Sequence, residues 1–391
     1  MPARHPRILH AIESLNPAFG GTVESVLQLA TALEKHGVKN AIVTLDGPRE
    51  RWRQDAISED AIWRLGPPHL FYRYCPRLSS WLKDNLNRFD VILVHGLWRH
   101  HNAAVWWAAQ KQPVPRYILT HSMLNRWFNR DDRWKHLRKT LFWWAIEYRT
   151  LRDAEAVVFS SEQERSDATG SFWPCRGRQV TVAMGTADSA PDSTTFGSFL
   201  RDHPETRDKT LLLFLGRLHP MKGCDLLIDA FATVARNHST AHLVMAGPDT
   251  QGWRADLESR ACSAGLQDRI TFPGPLYGDA KWSALAAADL FVLPSHCESA
   301  SYSTMEALAC SAPVLITNKV NSHTRLLNRP CAIITDDTVD SVAQGLDRFL
   351  AANPGQAARD DARAAFLEHF HIDRTAEGFL DLFRADLGWR I

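Results

Sequence analysis

Short apolar runs alternate with amphipathic stretches along most of this chain. Arg7–Ile12 reads as a first strand, and a polar loop from Glu13 to Thr22 follows it. Val23, Val26, Leu27, Leu29, Ala30 and Leu33 then recur with helical spacing and predict a helix that ends at Gly37. The plan repeats: Ala41–Leu45, Phe89–His95, Tyr117–Thr120 and Ala156–Ser161 are strand-like, with loops and helical stretches between them. Arg49 to Pro76 is irregular and rich in Arg, Trp and Pro. A second series begins at Leu211–Leu215 and continues through His242–Gly247, Ile270–Gly274, Leu290–Leu293 and Pro313–Thr317, which closes the sheet in this reading. Asp373–Leu387 predicts a last helix. Strands alternating with helices in this way indicate an α/β protein with parallel sheets.

Residues 187–209 are rich in Ser, Thr, Asp and Pro and divide the two series as a linker. The expected domains are 1–186 and 210–369, and 391 residues suffice for two full cores. A net charge of +1, with 23% charged and 45% hydrophobic residues, describes an ordinary globular protein and gives no field directed at nucleic acid. Seven scattered cysteines show neither paired nor zinc spacing, which suits free thiols in a reducing cytoplasm. No signal-length apolar region or membrane-spanning run is apparent, so the expected location is cytoplasmic.

The chemistry gathers where strands end and helices begin, the place where ligands bind in open parallel sheets. After Leu290–Leu293 comes a polar loop, Ser295 to Ser303, and then a helix with Met305, Ala307, Leu308 and Ala309. Glu298 and Glu306 bracket this junction, and carboxylates are good acceptors for sugar or ribose hydroxyls. After Leu211–Leu215, Arg217 and Lys222 stand five residues apart across a strand-to-helix turn. There they can hold a diphosphate, Arg through forked hydrogen bonds and Lys as a point charge. Gly20 and Gly21, with Thr22, give a loop where backbone can approach a ligand closely. His95 and His121 fall just past strand ends.

Together these strings resemble retaining glycosyltransferase family 4, of the GT-B fold. The resemblance rests on the E-x7-E pair Glu298/Glu306 followed by Ala-Leu-Ala-Cys-Ser-Ala-Pro, and on Gly216-Arg217-Leu-His-Pro-Met-Lys222-Gly223. It runs from about residue 7 to about residue 350. It implies two Rossmann-like parallel-sheet domains facing a central cleft, with a C-terminal helix (about 370–391) returning to the first domain. It further implies transfer of a sugar, with retention, from a nucleotide-diphosphate sugar to a saccharide or lipid-linked saccharide. Exopolysaccharide, capsule or lipopolysaccharide synthesis is the implied setting. Glu298 then contacts the donor sugar and Glu306 the ribose, while Arg217 and Lys222 take the diphosphate. Gly20, Gly21, Thr22, Gly216, Gly247, Pro275, Leu276, Ser299, Ala300, Ser301, Tyr302 and Ser303 complete the donor side. His121 is the acceptor-side or reacting-centre residue, with His95 second, because His95-Gly-Leu-Trp and Thr-His121-Ser-Met-Leu resemble strings of a bacterial exopolysaccharide branch. No cofactor or metal is expected, since side chains supply the cations.

Two of the chain's departures from the family pattern fall at candidate site residues. Thr120 and Ser122 replace Pro and Gly around His121, and Glu298-Ser299-Ala300-Ser301 replaces a loop that commonly ends in Gly. A side chain at 301 stands where backbone usually meets the donor. This leaves two alternatives open: a catalytically weak sugar-nucleotide-binding scaffold, or a nucleotide-sugar epimerase. Residues 126–152 mix aromatics (Trp127, Phe128, Trp134, Phe142, Trp143, Trp144) with Arg126, Arg130, Arg133, Lys135, Arg138 and Lys139. Such a stretch serves either as a core helix with a solvated basic face or as a peripheral anchor on an anionic membrane surface.

Overall fold

In the computed structural model, which describes residues 5–50, 57–69, 72–125, 133–188, 197–352 and 354–389, the chain forms two compact units. One comprises residues 1–185 with 372–391, the other 186–371.

The first unit is built on a seven-stranded sheet: β1 (Arg7–Ile12), β2 (Lys39–Thr44), β3 (Ile62–Arg64), β4 (Val91–His95), β5 (Arg116–Leu119), β6 (Ala156–Phe159) and β7 (Gln179–Thr181). The order is β3-β2-β1-β4-β5-β6-β7, and every pairing is parallel. The near-continuous apolar runs follow from this arrangement, since a parallel sheet is covered on both faces. Ile8, Leu9, Ile92, Leu93 and Val94 are all fully buried. The helix Ile372–Leu387 belongs to this unit. Asp386 accepts hydrogen bonds from the Tyr117 hydroxyl and from Arg178, and Phe383 packs edge-on against Tyr117.

The second unit carries a six-stranded sheet: β8 (Thr210–Leu215), β9 (Ala241–Ala246), β10 (Ile270–Gly274), β11 (Leu290–Leu293), β12 (Val314–Thr317) and β13 (Ala332–Thr335). Its order is β10-β9-β8-β11-β12-β13, again wholly parallel. In each sheet the strand order reverses once, between β1 and β4 and between β8 and β11. Helices then leave on opposite faces there and open a crevice at the strands' carboxyl ends.

The structure differs from the sequence reading at the margins. β3, β7 and β13 are edge strands of three or four residues, too short and too half-buried to show periodicity. Pro313–Thr317 therefore does not close the second sheet, because β13 pairs beyond it. Residues 198–206, polar enough to read as linker, form the helix Ser198–Asp202 and a tight turn at Pro204–Thr206. Phe199 is buried in the second core, and its N–H donates to Ser283 Oγ at 2.9 Å.

Backbone fits against backbone where β8 hands over to its helix. Gly223, at φ +67°, ends the turn Pro220–Lys222 and starts the helix Cys224–Val234, and a Cβ there would stand 2.2 Å from the Pro294 carbonyl oxygen. Gly20 has a similar φ of +70° but nothing within 4 Å of its Cβ position. Gly20→Ala is expected to cost only the backbone penalty of its positive-φ conformation (ψ −139°), about 1–3 kcal/mol. Gly223→Ala is expected to cost clearly more in urea unfolding, and equal losses would contradict the close approach.

Candidate active site

The second unit's site is assembled from four strand ends. Gly216 N–H donates to Ala246 O at 3.0 Å, Gly247 N–H to Gly274 O at 2.9 Å and Leu218 N–H to Pro248 O at 3.0 Å. Only glycine fits at 247, where a Cβ would lie 1.7 Å from the Gly216 carbonyl oxygen. Arg217 projects from this stitched edge, exposed and without an ion-pair partner among the described residues. Pro275 and Leu276 lie in the loop after β10, with Leu276 half-buried against the core.

Lys222 ends the turn after β8, and its Nζ pairs with the Glu298 carboxylate, each side chain 14% exposed. Glu298 is held through its backbone: its N–H donates to Lys319 O at 3.0 Å and its carbonyl accepts from Asn321 N at 2.9 Å. Glu306 lies on the helix Tyr302–Ala309, buried, and pairs with Lys281 Nζ at 2.7 Å. Lys281 comes from the neighbouring helix Gly278–Ala287 and sits 4.3 Å above the Trp282 ring. Both acids singled out from spacing are thus matched to lysines. Lys281 belongs to no motif and was not found by sequence reasoning.

Ser301 departs from what its position suggested. Its hydroxyl turns inward and caps the helix, accepting from Thr304 N at 3.3 Å, with φ at an ordinary −88°. Ser299 is buried, and its Oγ has no partner among the described residues. Ala300, Tyr302 and Ser303 are half-buried around the helix start. Burial pushes the Cys224 and Cys310 thiols up to about 12, so neither is a ready nucleophile.

In the first unit, Gly20 precedes the helix Gly21–Lys35, and Thr22 lies in its first turn. Asp46 fixes the loop before them by accepting from Ser14 Oγ and from Leu15 N at 2.7 Å. Beside this loop four polar side chains cross the sheet. Asn40 on β2 pairs with Ile8, His10 lies two residues further along β1, His95 two beyond His10's partner Leu93, and His121 two beyond His95's partner Leu119. That diagonal brings Asn40 to His10, His10 to His95 and His95 to His121, each contact 3.1 Å. The imidazoles stack with centroids 5.3 and 5.4 Å apart.

His95 is therefore not a rim residue. It is 2% exposed, and both ring nitrogens are engaged by the flanking histidines, so it has none to offer an acceptor. His121, half-buried, is the accessible end. Its segment is unusual backbone: His121 and Ser122 have φ of +44° and +65°, a region that side chains disfavour. Glu164, buried, holds it there. One oxygen accepts from Thr120 Oγ1 and Ser122 N, both at 2.8 Å, and the other from Ser160 N at 2.8 Å and Ser160 Oγ at 2.6 Å. In sequence, Ser161-x-x-Glu164 has only the spacing of a helix capping box. Glu147 secures the neighbouring loop, accepting from Trp98 N at 2.8 Å and Asn102 Nδ2 at 2.6 Å.

The aromatic-basic stretch divides between its two readings. Arg126, Trp127, Phe128 and Arg130 lie outside the described residues, as do the side chains of Arg133, Trp134 and Lys135. Trp143 is core: it is buried, stacks on Phe172 and donates to Pro174 O at 3.1 Å. Leu137, Leu141 and Trp144 are exposed, and Trp144 meets the 75%-exposed Trp173. Among the described residues no helix is long and apolar enough to cross a membrane, and no three His, Cys, Asp or Glu side chains gather to hold a metal ion.

Burial lowers the pKa of His10 and His121 to about 4, and of His95 well below 6.5. Burial raises Glu147 from 4.5 to about 7. Between pH 4 and 6.5 the unfolded chain binds more protons at these histidines than the folded one. Their stabilisation is therefore present above pH 6.5 and is lost as pH falls toward 4, by about 3 kcal/mol for one such residue. Glu147 acts oppositely, costing stability as pH rises from 4.5 to 7. The melting temperature is expected to fall from pH 7 to pH 5, less steeply in His10→Gln and more steeply in Glu147→Gln. A flat wild-type profile would contradict buried neutral imidazoles.

Residues 198–365 match the family model of group 1 glycosyl transferases, and residues 20–185 that of glycosyl transferase 4-like domains. A D-inositol 3-phosphate glycosyltransferase of Rhodococcus jostii is 33% identical over 45% of this chain, and the match spans only 40% of that protein's length. One from Kineococcus radiotolerans is 25% identical over 93% of this chain and 90% of its own. Among solved structures, sucrose-phosphate synthase from Thermosynechococcus elongatus superposes with a TM-score of 0.79 at 18% identity, covering 97% of this chain and 99% of its own. HepE of Anabaena, in complex with UDP and glucose, superposes at 0.74 with 15% identity, covering 97% and 100%. With both sheets, their strand order and both family models in agreement, the chain belongs to the group 1, family 4-like glycosyltransferases of the GT-B fold.

Proposed function

We propose that this glycosyltransferase moves a sugar, with retention of anomeric configuration, from a nucleoside-diphosphate sugar to a saccharide or lipid-linked saccharide in surface-polysaccharide synthesis. The observation that carries this reading is the pairing of both motif glutamates with lysines beside Arg217, which has no ion-pair partner among the described residues, at the switch point of the second sheet. Breaking the anomeric bond leaves a diphosphate with growing negative charge, and fixed cations aimed at that charge lower the barrier. Arg217 and Lys222 take that role with no metal. When a diphosphate draws Lys222 away, the Glu298 carboxylate is released to accept from sugar hydroxyls, so one side-chain movement readies two contacts. Glu306 accepts from the ribose. Ser301, committed to its helix cap, does not weigh toward the weak-scaffold alternative. The complex of HepE with UDP and glucose supports a nucleotide sugar as donor.

The acceptor side is assigned to His121. Exposed Leu137, Leu141, Trp144 and Trp173, with Arg138 and Arg149 beside them, support docking on an anionic bilayer that would carry a lipid-linked acceptor.

Ligand binding to the native state alone raises the melting temperature. The protein is expected to shift with one class among UDP, GDP, ADP and their sugar conjugates, and Lys222→Ala to lose the shift. Lys222→Ala and Glu298→Ala are each expected to lower transfer by at least about a hundredfold with unchanged circular dichroism. An undiminished rate in either variant would refute the site. Sedimentation with vesicles containing anionic lipid is expected to weaken in Trp144→Ala plus Trp173→Ala, and unchanged sedimentation would remove the membrane surface from the reading.

A further inference from the structure

The histidine diagonal has a direction, and Asn40 sets it. The Asn40 amide nitrogen donates to Ala30 O at 2.9 Å and to Val38 O at 3.2 Å. Both partners are carbonyls, which only accept, so the orientation of the amide is fixed. Its Oδ1 then faces His10 Nε2, which must carry a proton. A neutral imidazole carries one proton, so His10 Nδ1 is bare and accepts from His95 Nε2. By the same rule His95 Nδ1 is bare and accepts from His121 Nε2. The order ends at His121 with a bare Nδ1.

Protonating His10 or His95 would break this order, because an imidazolium presents donors at both nitrogens to a neighbour that already donates, and protonating His121 would remove the bare nitrogen at its end. The site resists that. His10 and His95 are buried, each ring faces another ring, and burial lowers all three pKa values. The backbone of β4 is held as well, since His101 Nε2 donates to the His95 carbonyl at 3.0 Å. Among the described residues nothing bonds His121 Nδ1, and that atom is not among the sealed-off polar atoms of the core.

We propose that Asn40, His10 and His95 are positioning residues that lock His121 in the Nε2–H tautomer, so that its bare Nδ1 accepts a hydrogen bond from a hydroxyl of the bound substrate. Identifying that hydroxyl as a sugar's rests on the transferase reading, whereas the tautomer order does not. Fixing the tautomer matters because the other one presents a donor, which turns the hydroxyl round to accept through a lone pair and reverses the hydrogen bond. The hydroxyl binds with its hydrogen on Nδ1 and both oxygen lone pairs turned away.

The test is long-range proton–nitrogen correlation spectroscopy of the full-length protein with labelled histidine, at pH 7.5. Ring signals are assigned by single His→Gln variants. Wild type is expected to show His10, His95 and His121 neutral, each protonated on Nε2. A His121 protonated on Nδ1, or an imidazolium at any of the three, overturns the proposal. His10→Leu removes the relay and is expected to give His121 mixed tautomers and a kcat about tenfold lower, with donor KM unchanged within twofold. His10→Gln keeps a donor and an acceptor and is expected to restore most of kcat. Equal losses in both variants with an unaltered His121 tautomer mean a merely structural role and overturn the proposal. If His10→Leu does not fold, the wild-type spectrum and His10→Gln still decide. If no nucleotide sugar supports transfer, the functional reading fails while the spectrum still judges the tautomer order.

Discussion

The candidate site of the second unit depends on how closely backbone approaches backbone at the carboxyl edge of its sheet. Gly247 lies against the Gly216 carbonyl, and Gly223 against that of Pro294, with no room for a side chain in either place. Amide-to-carbonyl bonds cross from β8 to β9 and from β9 to β10, and His296 N–H reaches Met221 O at 2.9 Å to join the loops after β8 and β11. The edge is therefore stiff. Arg217 and Lys222 are long flexible side chains on short rigid stems, which is what the proposed diphosphate role asks of them.

The two units manage polarity in opposite ways. In the second, charge is present and paired. Lys222 and Glu298 keep some contact with solvent, so separating them does not strand a charge in a dry interior. In the first, charge is suppressed. Burial keeps three imidazoles neutral, and their alignment comes from strand register alone, since each lies two residues downstream of its neighbour's partner. Glu164 and Glu147 hold the loops at the end of this row, accepting hydrogen bonds from backbone amides and from side chains alike.

Much of this architecture was legible in the sequence because buried parallel strands are written as unbroken apolar runs. The strands that were missed, β3, β7 and β13, are edges with little to bury. Motif spacing named Arg217, Lys222, Glu298 and Glu306, but neither the pairing of Lys222 with Glu298 nor the partner of Glu306. Lys281 meets Glu306 from another helix, and no local pattern encodes a meeting of that kind. His10 did leave a trace, being a polar residue in the middle of a strand otherwise apolar enough for a core, whereas Asn40 stands just ahead of its apolar run. His95 was misplaced because a residue at a strand's end looks like rim in one dimension, whereas its neighbours on β1 and β5 cover it. Ser122, standing where the resemblance has Gly, adopts a left-handed backbone, with Glu164 bonding its amide. At 301 the replacement asks nothing of the backbone.

The two crossings, at residues 185–186 and 371–372, have a consequence for the order of events on the ribosome. The second unit is one continuous segment and has all its strands once residue 335 has emerged. The first unit begins earlier but lacks the helix Ile372–Leu387, whose Asp386 and Phe383 meet Tyr117, until synthesis reaches that helix. Chains emerge N-terminal end first, which ordinarily favours the leading domain. Here the leading domain must wait for the trailing helix, so the half that starts second can finish first.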